Sequence, residues 1–212
     1  MCGVVGFISR NVMKEDIEIV KNVMRESSIR GKHASGIAWS KNNKIHSIVK
    51  SIPIDELVEE INWNEVIDGK NVSMIAHARY STSSIKYNQP IIGDQYAIVH
   101  NGVITQSPPD QWENEFNIKC KTENDSELLL RCWENGNDWY ELFPDSSIAS
   151  ILLDKEGNLI PVRNKLRPLW LGKLGYGLVY ASTYDILHRS GVTMIQKIPA
   201  GKDDLQVRRM KS

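Results

Sequence analysis

The sequence predicts an α+β domain in which β-strands outnumber helices. Eight or more short apolar segments are bounded by turn residues, a pattern typical of strands, and only a few segments show the spacing of apolar residues that indicates a helix. No internal repeat or linker-like stretch divides the 212 residues, a length that suits one sizeable core. Elements of this kind pack as layers, so we expect a single domain over residues 1–212.

The order of these segments along the chain gives the predicted elements. We expect strands at residues 3–8, 37–39, 44–50, 72–78, 96–100, 148–153, 159–163, 167–172, 177–181, 192–195 and 205–208. We expect helices at residues 13–28, 54–61, 122–133 and 182–188, the last capped by Ser182. The composition of residues 154–158, Asp-Lys-Glu-Gly-Asn, predicts a β-hairpin between two of the strands.

Composition and charge exclude several classes of protein. Lys plus Arg and Asp plus Glu both number 26, so the chain lacks the basic excess typical of a nucleic-acid binder. No run of about 18 apolar residues predicts a membrane span, and the N-terminus does not resemble a signal peptide. Three scattered cysteines, Cys2, Cys120 and Cys132, do not suit a disulfide framework or a zinc site. We therefore expect a cytoplasmic protein with reduced thiols.

Cys2 is the first candidate for a chemical role. It follows the initiator methionine directly, so removal of Met1 would leave a thiol and a free α-amine on one residue. The α-amine has an ordinary pKa of about 7.7–8.0, so it suits a general base for the thiol near neutral pH. The alternative is a chance cysteine at the start of an ordinary strand. Under the first interpretation, the strand places the thiol at a sheet edge that faces a pocket.

Arg79 ends the predicted strand 72–78. An arginine is costly at the end of a buried strand unless it is paired, and its planar fork suits bidentate capture of a carboxylate. The alternative is an internal salt bridge to an Asp or Glu.

Asn101 and Gly102 follow the strand 96–100. An Asn-Gly pair usually predicts a hairpin turn. The functional alternative is that the Asn101 side-chain amide and the Gly102 backbone N–H form a pair of donors for an oxyanion.

Asp125 lies near the start of the helix predicted from residue 122. It is either a first-turn acid favoured by the helix dipole or a partner for an ammonium group in a pocket. His33, in the turn before the second strand, is interpreted as a structural or solvated residue rather than a catalytic one.

The string of motifs resembles the class II glutamine amidotransferases, which use an N-terminal cysteine. No single motif is specific, but five in order behind an N-terminal cysteine are. The second half, with Arg167-Pro168-Leu169, looks most like the glutaminase domain of the amidophosphoribosyltransferase branch. The segments that carry the resemblance are Met1-Cys2-Gly3-Val4-Val5-Gly6, Arg30-Gly31, Ser35-Gly36-Ile37-Ala38, His77-Ala78-Arg79-Tyr80-Ser81-Thr82, Asn88-Gln89-Pro90, Val99-His100-Asn101-Gly102 and Asn124-Asp125-Ser126-Glu127.

The resemblance implies a fold and a set of roles. The fold is the four-layer αββα sandwich of the N-terminal-nucleophile (Ntn) hydrolases. The resemblance implies that the enzyme hydrolyses the side-chain amide of L-glutamine to glutamate and ammonia through a thioester. The implied roles are Cys2 as nucleophile, Asn101 and Gly102 as the oxyanion hole, Arg79 for the α-carboxylate with support from Thr82, and Asp125 for the α-ammonium.

The expected context is a glutaminase domain without an attached synthase. The sequence contains no phosphate-binding Gly-rich loop and no metal-ligand motif, so no cofactor or metal is implied. We expect a separate synthase subunit to accept the ammonia. One alternative is a catalytically silent Ntn-fold subunit that binds glutamine or regulates a partner. Another amide-cleaving Ntn hydrolase is disfavoured, because Arg79 and Asp125 together suit the zwitterion of a free amino acid.

Overall fold

The computed structural model describes residues 2–80 and 87–201, and their regular elements are mostly strands. The strands are β1 (Gly3–Ser9), β2 (Ala34–Lys41), β3 (Lys44–Lys50), β4 (Val72–Arg79), β5 (Ile91–Ile92), β6 (Tyr96–Val103), β7 (Ser147–Asp154), β8 (Leu159–Arg163), β9 (Trp170–Leu174), β10 (Gly177–Ala181) and β11 (Thr193–Lys197). The helices are α1 (Lys14–Glu26), α2 (Ile54–Glu60), α3 (Trp63–Val66), α4 (Trp112–Phe116), α5 (Ser126–Glu134), α6 (Trp139–Leu142) and α7 (Tyr184–Arg189), with 3-10 turns at Ser27–Arg30 and Pro109–Gln111.

The strands form two antiparallel sheets. The larger has the order β11-β9-β10-β1-β4-β2-β3, and the smaller has the order β5-β6-β7-β8. β1 therefore lies in the middle of the larger sheet, between β10 and β4. No helix in the described parts of the chain is long and apolar enough to cross a bilayer.

Three apolar layers hold the sheets and helices together. Side chains of β1 alternate between two of them, as the two-residue period of a strand requires. Val5 and Phe7 pack with α1, α2 and α7 on one side, whereas Val4 packs with Ala149 and Ile151 of the smaller sheet. A third cluster joins the other face of the smaller sheet to α5 and α6. The layer order is helix, sheet, sheet, helix, so the predicted αββα sandwich is confirmed.

Three elements differ from the sequence prediction. β6 continues through Asn101-Gly102 instead of turning there, because the whole segment to Val103 pairs with β7. Helix α5 begins at Ser126, four residues later than predicted. Ser182 does not cap α7: its hydroxyl accepts a hydrogen bond from the Val4 N–H at 2.7 Å, and Thr183 is the N-cap. The predicted strand at 205–208 lies outside the described residues.

A buried ion network joins α5 to the segment that precedes it. The Glu127 carboxylate, with 1% of its side chain exposed, accepts from Arg131 at 2.9 Å and from the backbone N–H groups of Lys121 and Thr122. Arg131 also pairs with Glu134 at 2.7 Å. Burial raises the pKa of Glu127, but these hydrogen bonds outweigh it and hold the pKa below its usual range.

We expect Glu127→Gln to lower the free energy of unfolding by about 3 kcal/mol, because removing one partner of a buried ion pair leaves the other charge buried. A pKa lowered in the fold contributes stability that is lost as pH falls, so the variant's stability should also vary less with pH in the acid range. Urea unfolding at several pH values measures both effects.

The matched control is Glu18→Gln, which breaks the exposed Glu18–Lys21 pair and should leave the urea midpoint almost unchanged. Equal midpoints for the two variants would show that the Glu127 network does not stabilise the fold.

Candidate active site

Cys2 lies at the start of the central strand of the larger sheet. The sequence analysis placed it at a sheet edge; the structure places it at the end of an interior strand, where the backbone is anchored on one side by Ser182. Ser182 accepts from the Val4 N–H and donates its own N–H to the Val4 carbonyl at 3.0 Å. The start of β1 is thus fixed by β10 and the residue that follows it.

The two sheets bring Cys2 against Asn101, 99 residues away in sequence. The Cys2 backbone N donates to the Asn101 Oδ1 at 3.2 Å. Because an N–H needs an acceptor, this contact sets the orientation of the amide and turns the Asn101 Nδ2 away from Cys2 N. Asn101 is 3% exposed, and its Nδ2 has no hydrogen-bond partner among the described residues. A buried, unpartnered donor therefore lies beside the residue that carries the thiol.

The Gly102 N–H is the second donor that the sequence analysis proposed. Gly102 pairs with Ile148 of β7, but Ile148 uses both its N–H and its carbonyl on Asn164. In an antiparallel pair, residues that do not bond each other point their N–H groups away from the partner strand. The Gly102 N–H therefore points away from β7, toward the open side of β6.

Only glycine fits at position 102. Its φ is +154°, and a Cβ there would lie 1.7 Å from the Ser147 carbonyl oxygen and 2.7 Å from the His100 Nε2. The close approach of β7 beneath this residue is what requires a residue without a side chain.

Arg79 is held by the loop that follows it in the described chain. One guanidinium nitrogen donates to the Asn88 Oδ1 at 2.6 Å and also to the Tyr87 carbonyl. Asn124 donates to the same Tyr87 carbonyl at 3.0 Å, which ties the loop to the start of α5. These two contacts of Arg79 are to neutral oxygens. The sequence analysis missed Asn88 and Asn124, although both lie inside its motifs.

Two guanidinium groups lie close to Cys2. The Cys2 Sγ is 3.9 Å from the carbonyl oxygen of Tyr80, the residue next to Arg79. Arg30 donates from Nε to the Cys2 carbonyl at 3.4 Å. Burial lowers the pKa of Arg30 and of Arg79, and the charge of Cys2 partly offsets this in both.

Asp125 connects the start of α5 to the end of β6. Its Oδ2 accepts from the Ile104 backbone N–H at 2.7 Å, two residues beyond Gly102. Among the described residues, the other Asp125 carboxylate oxygen accepts no hydrogen bond. His33 is exposed and its ring lies 5.0 Å from that of Tyr80, in accord with a structural role. Thr82 lies outside the described residues.

A cavity of about 540 Å³ adjoins the site. Val103 and Ile104 form one wall, Ser147 and Arg167 another, and Phe143 contributes apolar surface. Cys2, Asn101 and Arg79 do not line it. Among the described residues, no cluster of His, Cys, Asp and Glu is arranged to hold a metal ion.

Comparisons with known proteins agree with this fold. No protein-family model matches the chain. The glutamine–fructose-6-phosphate aminotransferase of Bacillus spizizenii is 27% identical over 214 residues, a match that covers 92% of the chain and 33% of that protein. Glutamine phosphoribosylpyrophosphate amidotransferase from B. subtilis superposes with a TM-score of 0.69 at 21% identity, over 94% of this chain and 46% of that one. The resemblance to class II glutamine amidotransferases is confirmed.

A second solved structure supports the class II glutamine amidotransferase fold. The glutamine aminotransferase class-II domain protein from Silicibacter pomeroyi superposes with a TM-score of 0.54 at 13% identity, over 85% of this chain and 88% of that one. The chain spans about a third of the length of curated relatives such as the Bacillus spizizenii enzyme. The class II likeness therefore concerns one region of those proteins.

We expect Gly102→Ala to lower the free energy of unfolding by at least about 2 kcal/mol more than Gly69→Ala. Gly69 also has a positive φ, +61°, but a Cβ there would meet nothing within 4 Å, so it reports backbone strain alone. Urea unfolding of the two variants separates strain from the clash with Ser147. Similar losses would mean that β7 does not press on Gly102.

Proposed function

We propose that this chain binds L-glutamine and hydrolyses its side-chain amide to glutamate and ammonia. The observation that carries the proposal is the contact between the Cys2 N and the Asn101 Oδ1, which leaves the buried Asn101 Nδ2 without a partner among the described residues. A buried donor without a partner is costly, so a ligand oxygen that accepts from it is strongly favoured. The oxyanion of a tetrahedral intermediate is such an acceptor.

The proposed reaction begins with removal of Met1, which converts the Cys2 N into a free α-amine. The Asn101 Oδ1 then accepts one amine hydrogen and leaves the amine lone pair for the thiol proton. The sulfur attacks the amide carbon, and the negative charge on the former carbonyl oxygen is met by the Asn101 Nδ2 and the Gly102 N–H. Nearby Arg30 and Arg79 add positive potential for this charge.

The intermediate then collapses in two steps. The protonated α-amine gives its proton to the leaving nitrogen, ammonia departs, and a thioester between Cys2 and the glutamyl group remains. A water molecule gives a proton to the amine, and its oxygen attacks the thioester carbon. The carbon–sulfur bond then breaks, the amine returns its proton to the sulfur, and glutamate is released. The amine thus acts as base and acid in turn.

The proposed recognition of glutamine uses one charge for each end of the zwitterion. Arg79, already oriented by Asn88 and Tyr87, would bind the α-carboxylate, and the unused oxygen of Asp125 would bind the α-ammonium. Thr82 is proposed to support the carboxylate. An analogue that lacks either charge would leave its partner unpaired and bind poorly.

A synthase that accepts the ammonia is the proposed partner. Support comes from the names of the relatives, which pair glutamine with an acceptor. The competing proposal is a silent subunit that binds glutamine without chemistry.

Wild-type protein with a verified Cys2 N-terminus should release glutamate from glutamine, alone or with its partner. Cys2→Ala should lower the rate by at least about 10³-fold, since the nucleophile is lost.

A diazo-ketone analogue of glutamine should label Cys2 alone, as mass spectrometry of peptides would show. Cys120→Ala is the control and should keep full activity, because burial raises the pKa of its thiol to about 12 and makes it unreactive.

Two other outcomes are informative. Glutamine-dependent thermal stabilisation without glutamate release would favour the silent binding subunit. Equal labelling of Cys120 or Cys132 would remove the special role of Cys2.

Arg79→Lys should raise the KM for glutamine about 10- to 100-fold with a smaller change in kcat, because a point charge does not replace two directed hydrogen bonds. Arg189→Lys is the matched control: it alters an exposed pair with Glu26 and should leave both constants unchanged. An unaltered KM in Arg79→Lys would exclude Arg79 from the glutamine site.

A further inference from the structure

A chain of buried polar groups runs beneath the candidate site. The His100 ring contacts the Ser126 Oγ through Nδ1 at 2.9 Å and the Ser147 carbonyl oxygen through Nε2 at 3.1 Å. Gln89 donates from Nε2 to the same Ser126 Oγ at 3.0 Å and accepts the His100 backbone N–H on Oε1. His77 reaches the His100 carbonyl with its Nε2 at 3.2 Å. His100, Ser126 and Gln89 are each 5% exposed or less.

The partners fix the protonation of His100. A carbonyl oxygen only accepts, so Nε2 must carry a hydrogen, and burial lowers the pKa of the ring, which favours its neutral form. The unprotonated Nδ1 then accepts the Ser126 hydroxyl hydrogen, and the Ser126 oxygen accepts from Gln89. In these contacts of His100, Ser126 and Gln89, each donor is matched to an acceptor.

One end of the chain leads to the proposed oxyanion donors. Ser147, which accepts from His100 through its carbonyl, also accepts the Val103 N–H on its hydroxyl at 3.0 Å. The Ser147 carbonyl lies where a Cβ of Gly102 would be. The position of Ser147 therefore sets the path of the backbone that carries the Gly102 N–H.

The other end of this chain of polar groups leads to Arg79 and Asp125, which are proposed to bind the α-carboxylate and the α-ammonium of glutamine. Ser126 follows Asp125 in sequence, and its backbone N–H donates to the Asn124 Oδ1 at 3.1 Å. Asn124 in turn donates to the Tyr87 carbonyl, to which Arg79 also donates. Ser126 is thus connected to both charges proposed to bind the zwitterion.

We propose that His100 is a positioning residue that, as its neutral Nε2–H tautomer, holds the oxyanion end and the amino-acid end of the site at a fixed separation. The proposal rests on the proposed function, since it assigns His100 to the same reaction. In this proposal, the contact of His100 with Ser147 supports the rate of turnover, and its contact with Ser126 supports glutamine binding. The imidazole ring makes both hydrogen bonds at once because its two nitrogens differ, one being a donor and the other an acceptor. An aliphatic side chain makes neither hydrogen bond.

Two substitutions separate the contacts. His100→Asn places an amide oxygen near the position of Nδ1, so it keeps the Ser126 contact and loses the Ser147 contact; kcat should fall about 10-fold while KM changes less than about twofold. His100→Gln places an amide NH₂ near Nε2, so it keeps the Ser147 contact and loses the Ser126 contact. Its KM for glutamine should rise about 10-fold with kcat nearly unchanged.

Ser126→Ala removes the same His100–Ser126 contact without altering the His100 ring. It should raise the KM for glutamine as His100→Gln does. Its matched control is Ser150→Ala. Ser150 lies opposite His100 in the sheet register, is fully buried and donates to the Val99 carbonyl at 2.8 Å, outside the chain of contacts. Both serine variants should lose similar thermal stability, but only Ser126→Ala should change KM.

Nitrogen-15 NMR of the imidazole supplies a readout that needs no turnover. The His100 Nδ1 should show the shift of an unprotonated nitrogen and Nε2 that of a protonated one. The opposite tautomer would overturn the proposal. So would an active wild type in which both His100 variants lose kcat and KM together, or in which Ser150→Ala matches Ser126→Ala in KM. A wild type that releases no glutamate would instead overturn the proposed function, whatever the tautomer.

Discussion

The site depends on the face-to-face packing of two antiparallel sheets. Cys2 directly precedes the middle strand of one sheet and Asn101 lies near the end of a strand of the other, and the contact between them is made only when the sheets stack in this register. The layer between the sheets contains Val4 and Val99, each close in sequence to a site residue. The same apolar packing that stabilises the sandwich therefore positions the thiol against the amide.

The polar groups around the site follow a common rule, which is that buried donors and acceptors are matched and the exceptions point to a ligand. Gln89, His100 and Ser126 satisfy one another, and Arg79 is satisfied by loop oxygens. Asn101 is the exception at the centre, with its Nδ2 unpartnered among the described residues. The His77 Nδ1 is also unpartnered, but it is a ring nitrogen that accepts, whereas the Asn101 Nδ2 is a donor. The contrast with Gln89, His100 and Ser126 supports the oxyanion role proposed for Asn101.

Local sequence signals predicted most of the fold. The alternation and turn residues placed β1, β3, β4, β10 and the β7–β8 hairpin within one or two residues of their observed bounds. The failures have a shared cause. Ser182 was interpreted as a helix cap and Asn101-Gly102 as a candidate hairpin because such residues usually act locally. Here Ser182 bonds to β1 and Gly102 lies against β7, so distant strands override the local preference.

The sequence alone determined which groups are present and the strand that delivers each, because side-chain chemistry and two-residue periodicity are local properties. It also supported the family resemblance, since motif order needs no coordinates. Only the tertiary structure decided which amide edge of Asn101 faces Cys2, that Asn124 and Arg79 share an acceptor, and that His100 joins Ser126 to Ser147. These contacts join residues that are tens of positions apart, and their geometry arises from sheet register and helix docking, which no local pattern specifies.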